Sequence, residues 1–478
     1  MRRALRRLTV LGIVLILGLG WLWIELSPPH LAVPPPSVSL PEVVIVNPGR
    51  DRRKVARLGV RAGRIAWLGE GGIGPRLDVE DPMNPFAPDT SRYAGAYVLP
   101  GLIDMHVHQP PDTPLGDVEL AALLFLRHGV TAVRDTGSFD GAIFEERRRI
   151  AAGEIAGPRI FACGPILDGD PPFWSGSRVV RTAADGRRAV DELAAQHVSC
   201  IKVYDRVSPE ALAGIREAAE THALPVIGHV PAAIPFSEAR LADVQHLSGL
   251  VEPGEKLTEA RIRGVVTASA ALQIAHTPTL VFLDRVARLA DYRNALAAPE
   301  AQLLPRYYRE ILWDPAHDPR LSDLGAADEE TLQGTLRNAK RVVKQLADAG
   351  VEIHVGTDTM NPFVVPGASM HEEMWALVDA GLTPEQVWIA ATRSAGRALG
   401  EQNLGIVRIG APADLLIFRE DPSVDLNHLQ TLEAVVAGGR LYPREVLEEG
   451  VARWQRHFAG TVYDAVSTTL ARWLVPPR

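Results

Sequence analysis

Eight short apolar segments alternate with amphipathic segments along most of this chain of 478 residues. The apolar segments have the length of buried strands, and in most of the intervening segments apolar residues recur every three or four positions, which is typical of helices. The predicted strands are YVLPGLIDM, TAVRD, RIFACG, SCIKVYD, PVIG, ADVQHL, LQIAHTPTL and EIHVGTD. This alternation predicts an α/β fold, a (β/α)8 TIM-like barrel over residues 97–403 with active residues at the strand ends.

Further β-rich segments flank the predicted barrel on both sides. VVIVN and VARLGVRAGRIAWLG precede it, and GIVRIGAPADLLIF and EAVVAGGRLY follow it. They predict a small composite β-sandwich domain built from residues 42–96 and 404–445. A long insertion at residues 283–326 interrupts the seventh repeat, and we expect either a lid or substrate-binding loop or a structural excursion.

The two ends of the chain differ in composition from the middle. An uncharged run, Leu8 to Ile24, follows four arginines, Arg2, Arg3, Arg6 and Arg7. It is long for the apolar part of a signal peptide and short for a membrane-spanning helix. We expect residues 1–26 to be a transmembrane signal anchor with the arginines in the cytoplasm and the rest of the chain outside it, or else a cleaved signal peptide.

Two further segments lie outside the predicted domains. The proline-rich residues 27–41 are expected to be a stiff linker. Residues 446–478 are expected to be a C-terminal helical extension that packs on the barrel, on a partner chain or at the membrane.

Charge and cysteine content exclude several kinds of function. The formal net charge is -8 and the body of the chain has no long basic run, which argues against a nucleic-acid partner. The only cysteines, Cys163 and Cys200, are too few for a disulfide scaffold or a four-thiolate zinc site. We expect both to be small buried strand residues, so that any metal site uses nitrogen and oxygen ligands.

Polar residues stand in or at the ends of five predicted strands. His106 and His108 face the same side of the first strand because residues i and i+2 do so. The other strands contribute Lys202, His229, His246 and Asp358. The carboxyl ends of barrel strands meet at one face, so these residues predict a common site there. Arg134 and Asp135 end the second strand and are expected to pair with each other. His276 is expected to support the ligands from behind or to pack, and His354 to be a core histidine with its hydrogen bonds satisfied.

The chain resembles the amidohydrolase superfamily, in its imidazolonepropionase-like and prolidase-like (Xaa-Pro dipeptidase-like) branch, from Val43 to Tyr442. The motifs that carry the resemblance are VLPGLIDMHVH, CIKVY, GHVP, VQHL, HVGTDT, ATRSAGRALG and LGIVRIGAPADLLIF. It implies two divalent metal ions, with zinc expected for imidazole and carboxylate ligands. His106, His108 and Asp358 are implied ligands of the more buried ion, and His229 and His246 of the second.

The resemblance also implies how the site works. Lys202 is the implied bridge between the ions, carboxylated by carbon dioxide. The implied activity is hydrolysis of carbon–nitrogen bonds in small amide or peptide-like substrates, by a metal-bridging hydroxide with Asp358 as the proton carrier. Tyr204 faces the same side as Lys202 and is expected to contact substrate or to lie at the rim.

Several alternatives stay open at this point. An ester or lactone hydrolase would use the same site, and a non-catalytic, membrane-tethered binding protein would use the same scaffold. The expected partners are a small-molecule substrate and the membrane, and a homo-oligomer is left open. Two positions depart from the pattern of relatives: they often carry HAH where this chain has the segment from Gly228 to Pro231, and a glutamate where it has Gln245. Both changes alter the pocket wall and leave the substrate unassigned.

Overall fold

The structure, a computed structural model, describes residues 18, 20–50, 53–69, 89–110, 117–138, 141–251, 254, 256–289, 292–315 and 329–474. Among these residues no helix is both long and apolar enough to cross a membrane. The apolar run expected to form a signal anchor lies mostly outside the described residues, and only its last part is seen, within a short helix at residues 20–26. The membrane anchor therefore stays a prediction.

The strands and helices alternate as the sequence pattern indicates. The strands are β1 Val38–Ile45, β2 Lys54–Arg61, β3 Arg64–Gly69, β4 Tyr97–Pro100, β5 Leu102–Val107, β6 Val130–Asp135, β7 Arg159–Ala162, β8 Leu167–Asp168, β9 Arg178–Val179, β10 Ile201–Val203, β11 Val226–Gly228, β12 Asp243–Gln245, β13 Ala275–Thr277, β14 Leu415–Phe418, β15 Leu432–Ala437 and β16 Arg440–Pro443.

The helices lie mainly between these strands. They are α1 Asp117–Arg127, α2 Ala142–Ala152, α3 Ala183–Ala194, α4 Pro209–Thr221, α5 Phe236–Ala239, α6 Glu259–Leu272, α7 Leu280–Arg288, α8 Tyr292–Leu296, α9 Glu329–Asp348, α10 Ala368–Asp379, α11 Pro384–Ile389, α12 Ala395–Ala398, α13 Arg444–Phe458 and α14 Thr461–Leu474. Short 3-10 helices at Ser91–Tyr93, Glu300–Leu303 and Leu426–Thr431 and π-helical turns at Tyr308–Leu312 and Ala390–Ser394 complete the set.

Two parallel sheets and one irregular segment form a TIM-like barrel. One sheet contains β5, β6 and β7, and the other has the order β13, β12, β11, β10, β8 and β9. Residues 353–359 take the eighth position: Ile353 bridges to His276 of β13, and Thr359 bridges to Val107 of β5. This segment closes the wall between the first and seventh barrel strands, as the eight-strand pattern predicts.

The flanking β segments form one sheet and not a sandwich. Its order is β16, β15, β14, β4, β1, β2 and β3, so both ends of the chain contribute to it. The prediction of a two-sheet sandwich is therefore wrong for the described residues. β1 begins at Val38, inside the segment expected to be linker, and β4 joins this sheet because the predicted first barrel strand is interrupted at Pro100 and Gly101.

A disulfide joins the two parallel sheets. Cys163 directly follows β7, Cys200 directly precedes β10, and their Cα atoms are 4.5 Å apart. Both residues are buried, as expected, but they lie just outside the strands and are covalently linked, which was not expected. The disulfide therefore links the third and fourth strand positions of the barrel, from β7 at the edge of one sheet to β10 inside the other.

Replacing both cysteines with alanine is expected to lower the free energy of unfolding. The sequence separation of the pair is 37, and closing a loop of that size restricts the unfolded chain enough to contribute about 3–4 kcal/mol. Urea unfolding of the oxidised protein and of the double variant measures the difference. Equal stabilities, or two free thiols titrated in the unreduced protein after denaturation, would contradict the link.

The C-terminal helices pack on the barrel. Leu447, Val451 and Trp454 of α13 are buried, and Gly450 allows the helix to lie against Leu123 of α1. The buried face of the C-terminal extension therefore packs on the barrel. Trp473 of α14, by contrast, is 78% exposed.

The described part of the long insertion also packs inward. Tyr307, Tyr308 and Trp313 are buried, and the Tyr307 hydroxyl donates to the carboxylate of Asp117. Residues 316–328 of the insertion lie outside the described residues. Of the two alternatives, the described part favours a packed structural excursion.

Candidate active site

Two histidines and one aspartate meet where the first and eighth barrel positions adjoin. His106 lies in β5 and His108 directly follows it, and the backbone N–H of Asp358 donates to the His106 carbonyl at 2.8 Å. The Nε2 atoms of His106 and His108 lie 3.3 and 3.2 Å from Oδ1 of Asp358. The ligand atoms of these three residues all lie within 4.8 Å of one another, so the group could hold a metal ion.

The remaining predicted site residues lie beside this group. The ring of His246, which follows β12, is centred 4.5 Å from the ring of His106 and 5.0 Å from that of His229. Lys202 lies in the middle of β10 and is 1% exposed. Burial lowers the pKa of His229, and the positive charge of Lys202 lowers it further. All six residues predicted from strand positions therefore converge at the carboxyl ends of the barrel strands.

A second layer of hydrogen bonds holds each imidazole by its Nδ1 atom. The partners are Gln245 Oε1 for His106 at 2.6 Å, the Gly137 carbonyl for His108 at 2.9 Å, Asp205 Oδ1 for His229 at 2.9 Å and Thr279 Oγ1 for His246 at 2.7 Å. Such partners fix the orientation of a ligating histidine and leave Nε2 for the metal. Gln245 was noted in the sequence only as a departure from relatives, whereas Asp205 and Thr279 were missed.

Three polar atoms at the centre are buried without a hydrogen-bond partner among the described residues. They are Nε2 of His106, Nε2 of His229 and Oδ1 of Asp358. An unsatisfied buried polar atom is costly unless something compensates it. Imidazole nitrogen and carboxylate oxygen are ligands that zinc and related divalent ions accept, so this donor set fits the implied metal.

The ionisation of these groups also suits metal binding. Burial, together with the charges of Lys202 and His246, lowers the pKa of His106 well below its ordinary value, which keeps the imidazole neutral. Burial alone would raise the pKa of Asp358, but His246, His108 and Lys202 hold it at about 2. Burial lowers the pKa of Lys202 to about 7. Neutral imidazoles and an ionised carboxylate are the forms that bind a cation.

Asp104 positions the segment that carries Asp358. Its Oδ1 accepts the backbone N–H groups of His106 and Thr357 at 3.2 and 3.0 Å, and its Oδ2 accepts the Thr357 hydroxyl at 2.7 Å. These bonds join β5 to the irregular eighth segment, which has no regular strand ladder to hold it in place. The histidine pair and the aspartate are thereby kept in register.

The expected pairing of Arg134 with Asp135 is wrong. Arg134 instead forms a buried ion pair with Asp243 at 2.6 Å, and His354, which was expected to be a core residue, donates from Nδ1 to the same carboxylate at 3.0 Å. Asp135 accepts the backbone N–H of Gly137 at 3.2 Å. The physical reason is that adjacent residues of one strand point to opposite faces of a sheet, so Arg134 and Asp135 cannot face each other.

Tyr204 lies at the edge of the site. Its ring stacks on the ring of His229, with centroids 3.9 Å apart, and the Nζ atom of Lys202 lies 6.0 Å from its centroid. His276, by contrast, bonds through Nε2 to Ser269 at 2.9 Å, outside the group of converging histidines. His108 is 25% exposed, so the site opens to solvent on its side.

Comparison with known proteins identifies the family. The model of the Amidohydrolase family matches residues 97–441, which covers well over half of the chain. The chain belongs to the amidohydrolase family. The prediction of this superfamily is thereby confirmed.

Imidazolonepropionases are among the similar curated proteins of this family. The enzyme of Photorhabdus laumondii subsp. laumondii is 45% identical over 83 residues, 17% of this chain and 20% of the relative. The enzyme of Shewanella sediminis is 22% identical over 424 residues, 83% of this chain and 91% of the relative. The first of these matches thus spans only about a fifth of the relative's length.

Solved structures support the fold. Bottromycin amidohydrolase superposes with a TM-score of 0.70 at 24% identity, covering 89% of this chain and 91% of that one. A Xaa-Pro dipeptidase with bound methionine in its active site superposes with a TM-score of 0.61 at 18% identity, covering 85% of this chain and 100% of that one. At these identities the likeness shows the barrel architecture that the family shares.

Proposed function

We propose that this member of the family is a binuclear metal-dependent hydrolase that cleaves amide or peptide-like bonds of small substrates. The observation that carries the proposal is the convergence of His106 Nε2, His229 Nε2 and Asp358 Oδ1, all buried and without hydrogen-bond partners among the described residues. The names of the relatives, imidazolonepropionase, bottromycin amidohydrolase and Xaa-Pro dipeptidase, favour small amide or peptide-like substrates.

The residues divide between two ions. His106, His108 and Asp358 would hold the first ion, and His229 and His246 the second, with zinc as the expected metal. Lys202, as a carbamate, would supply an anionic oxygen to each ion. When bound, such ions acidify water and polarise a substrate carbonyl.

Asp358 is the proton carrier in this proposal. Its pKa of about 2 leaves it ionised at neutral pH, so it can accept a proton from the attacking water. The leaving nitrogen then receives that proton as the carbon–nitrogen bond breaks. Gln245 and Asp205 keep the neighbouring imidazoles of His106 and His229 in fixed orientations while the proton moves.

Metal analysis and a substrate panel test the proposal. The purified full chain is expected to contain two transition-metal ions and to hydrolyse at least one amide in a panel of dipeptides and N-acyl amino acids, with lactones as the ester comparison. A chain without bound metal, and without activity after addition of metal and bicarbonate, would overturn the proposal. Faster cleavage of a lactone than of every amide would favour the ester or lactone alternative.

The contact between Asp205 and His229 allows a test of the second metal site in which metal binding is weakened and not abolished. Asp205→Asn removes the carboxylate that orients His229 at 2.9 Å, and such a loss weakens metal binding by about tenfold to a hundredfold. Competition with a chelator measures the affinity for each ion.

A matched control for Asp205→Asn exists on the protein surface. Asp191→Asn removes an aspartate–histidine contact of similar length, 2.8 Å from Asp191 of α3 to His222, which directly follows α4. It is expected to leave metal affinity unchanged. Equal metal affinity in both variants would show that His229 needs no orientation by Asp205.

We further propose that the chain is tethered to the membrane with the barrel outside the cytoplasm. The uncharged run from Leu8 to Ile24 behind four arginines supports a tether, and the Cys163–Cys200 disulfide is typical of proteins in oxidising compartments. Alkaline extraction of membranes and protease treatment of cells without an outer membrane test this. Release by alkali of a chain shortened at its N-terminus would favour secretion after cleavage, and protection of the barrel from the added protease would contradict a location outside the cytoplasm.

A further inference from the structure

An aromatic residue that the sequence pattern did not indicate stands beside the site. Phe173 lies in the loop between β8 and β9 and is 40% exposed. Its ring centroid is 5.5 Å from that of Tyr204, whose own ring stacks on His229 at 3.9 Å. A continuous aromatic surface therefore runs from a proposed metal ligand to the solvent-exposed rim.

The loop that carries Phe173 is held in place. The buried Asp168 accepts the backbone N–H of Phe173 at 2.7 Å and that of Arg206 at 2.9 Å. The Arg206 guanidinium donates to the carbonyl of Pro171 at 2.7 Å and lies 5.9 Å from the centre of the Phe173 ring. A fixed, exposed aromatic ring loses little conformational entropy when a ligand covers it, which is a property of binding residues.

A second aromatic ring flanks the other histidine. Phe282, in α7 directly before the long insertion, has its centroid 5.8 Å from the ring of His246. His229 and His246 are themselves 5.0 Å apart, so each of these neighbouring histidines carries an aromatic neighbour of its own. The two aromatic groups thus border the part of the site that lies over the second proposed ion.

We propose that Phe173 with Tyr204 on one side, and Phe282 on the other, form an aromatic cleft that receives an aromatic or bulky apolar group next to the scissile amide. The proposal rests on the proposed function, since it names the substrate class of the same site. The free energy gained when an apolar group leaves water grows with the apolar area that the protein covers, and flat rings can cover a large area. Pairs of aromatic rings add an attraction that depends on their relative orientation. A methyl group in the same place would cover little of either ring.

Two metal-binding probes that differ only in their apolar group test the cleft. Benzohydroxamate and acetohydroxamate share a metal-binding group but carry a phenyl and a methyl group. Calorimetric titration of the metal-loaded full chain is expected to show about tenfold tighter binding of benzohydroxamate. Phe173→Ala is expected to remove most of that preference without changing the affinity for acetohydroxamate, which also shows that the variant folds and binds metal.

Two further variants complete the test. Phe173→Tyr keeps the ring and is expected to keep the preference. Trp375→Ala removes a ring that is also 40% exposed but lies on α10, beside Arg127 and away from the strand ends that form the site, and it is expected to change neither affinity. Equal affinity of the unaltered chain for both probes, or a preference that survives Phe173→Ala, would overturn the cleft alone. Failure of both probes to bind would overturn the proposed function together with the cleft.

Discussion

Replacing Asp358 with asparagine is expected to lower kcat by about three orders of magnitude. The amide is nearly the same size as the carboxylate but cannot accept a proton at neutral pH, so the proposed transfer from water to the leaving nitrogen has no carrier. Oδ1 of Asp358 also lies 3.3 and 3.2 Å from Nε2 of His106 and of His108 and is a proposed metal ligand with them, so some loss of metal is expected as well. Steady-state kinetics and metal analysis of the same preparation separate the two effects.

The control for Asp358→Asn is a variant that replaces another buried aspartate, outside the site, with asparagine. Asp421 has the same exposure, 4%, and it forms an ion pair with Arg53 at the flanking sheet, outside the barrel. Asp421→Asn is expected to leave kcat unchanged. If Asp358→Asn retained metal and lost less than about tenfold in kcat, another group would have to carry the proton.

The positions of the site residues were predictable because they follow from local periodicity. His106 and His108 share a face through the two-residue repeat of a strand. His229, His246 and Asp358 each follow an apolar run that ends at one face of the barrel. Any chain with this alternation brings such residues together, whatever the details of packing.

The partners of those residues depend on contacts between distant segments. Arg134 pairs with Asp243, which is 109 positions away, although Asp135 is its neighbour in sequence. Thr279 reaches His246 across 33 positions through the turn that starts α7. Pairings of this kind depend on which faces meet in three dimensions, which strand periodicity alone does not specify.

The disulfide was only partly predictable from the sequence. RIFACG and SCIKVYD were predicted as consecutive strands, and consecutive strands of a barrel are adjacent. Their cysteines, Cys163 and Cys200, could therefore have been placed near each other before the structure was known. Their burial was expected instead as ordinary packing, because two cysteines are too few for a disulfide framework in a chain of this length.

Lys202 offers the sharpest test of whether two ions are bound. Its side chain is 1% exposed between Ile201 and Val203, and burial lowers its pKa to about 7. An appreciable fraction is therefore a neutral amine at neutral pH. That amine can attack carbon dioxide: a nitrogen–carbon bond forms while one carbon–oxygen π bond opens and leaves its electron pair on oxygen. One proton passes from the nitrogen to water, and an anionic carbamate results. The carbamate oxygens would lie between the histidines of the two proposed ions.

Lys202→Ala is accordingly expected to lower the metal content from two ions to one or none, and to lower kcat with it. Lys202→Glu and Lys202→Gln form a matched pair, because the first restores a carboxylate of similar reach and the second supplies only a neutral amide. We expect Lys202→Glu to retain more metal than Lys202→Gln. After growth or exchange in labelled bicarbonate, carbon-13 spectra should show a carbamate signal that Lys202→Ala lacks. Two ions retained in Lys202→Ala and Lys202→Gln would show that the lysine bridges nothing, and the second site would then depend on His229 and His246 alone.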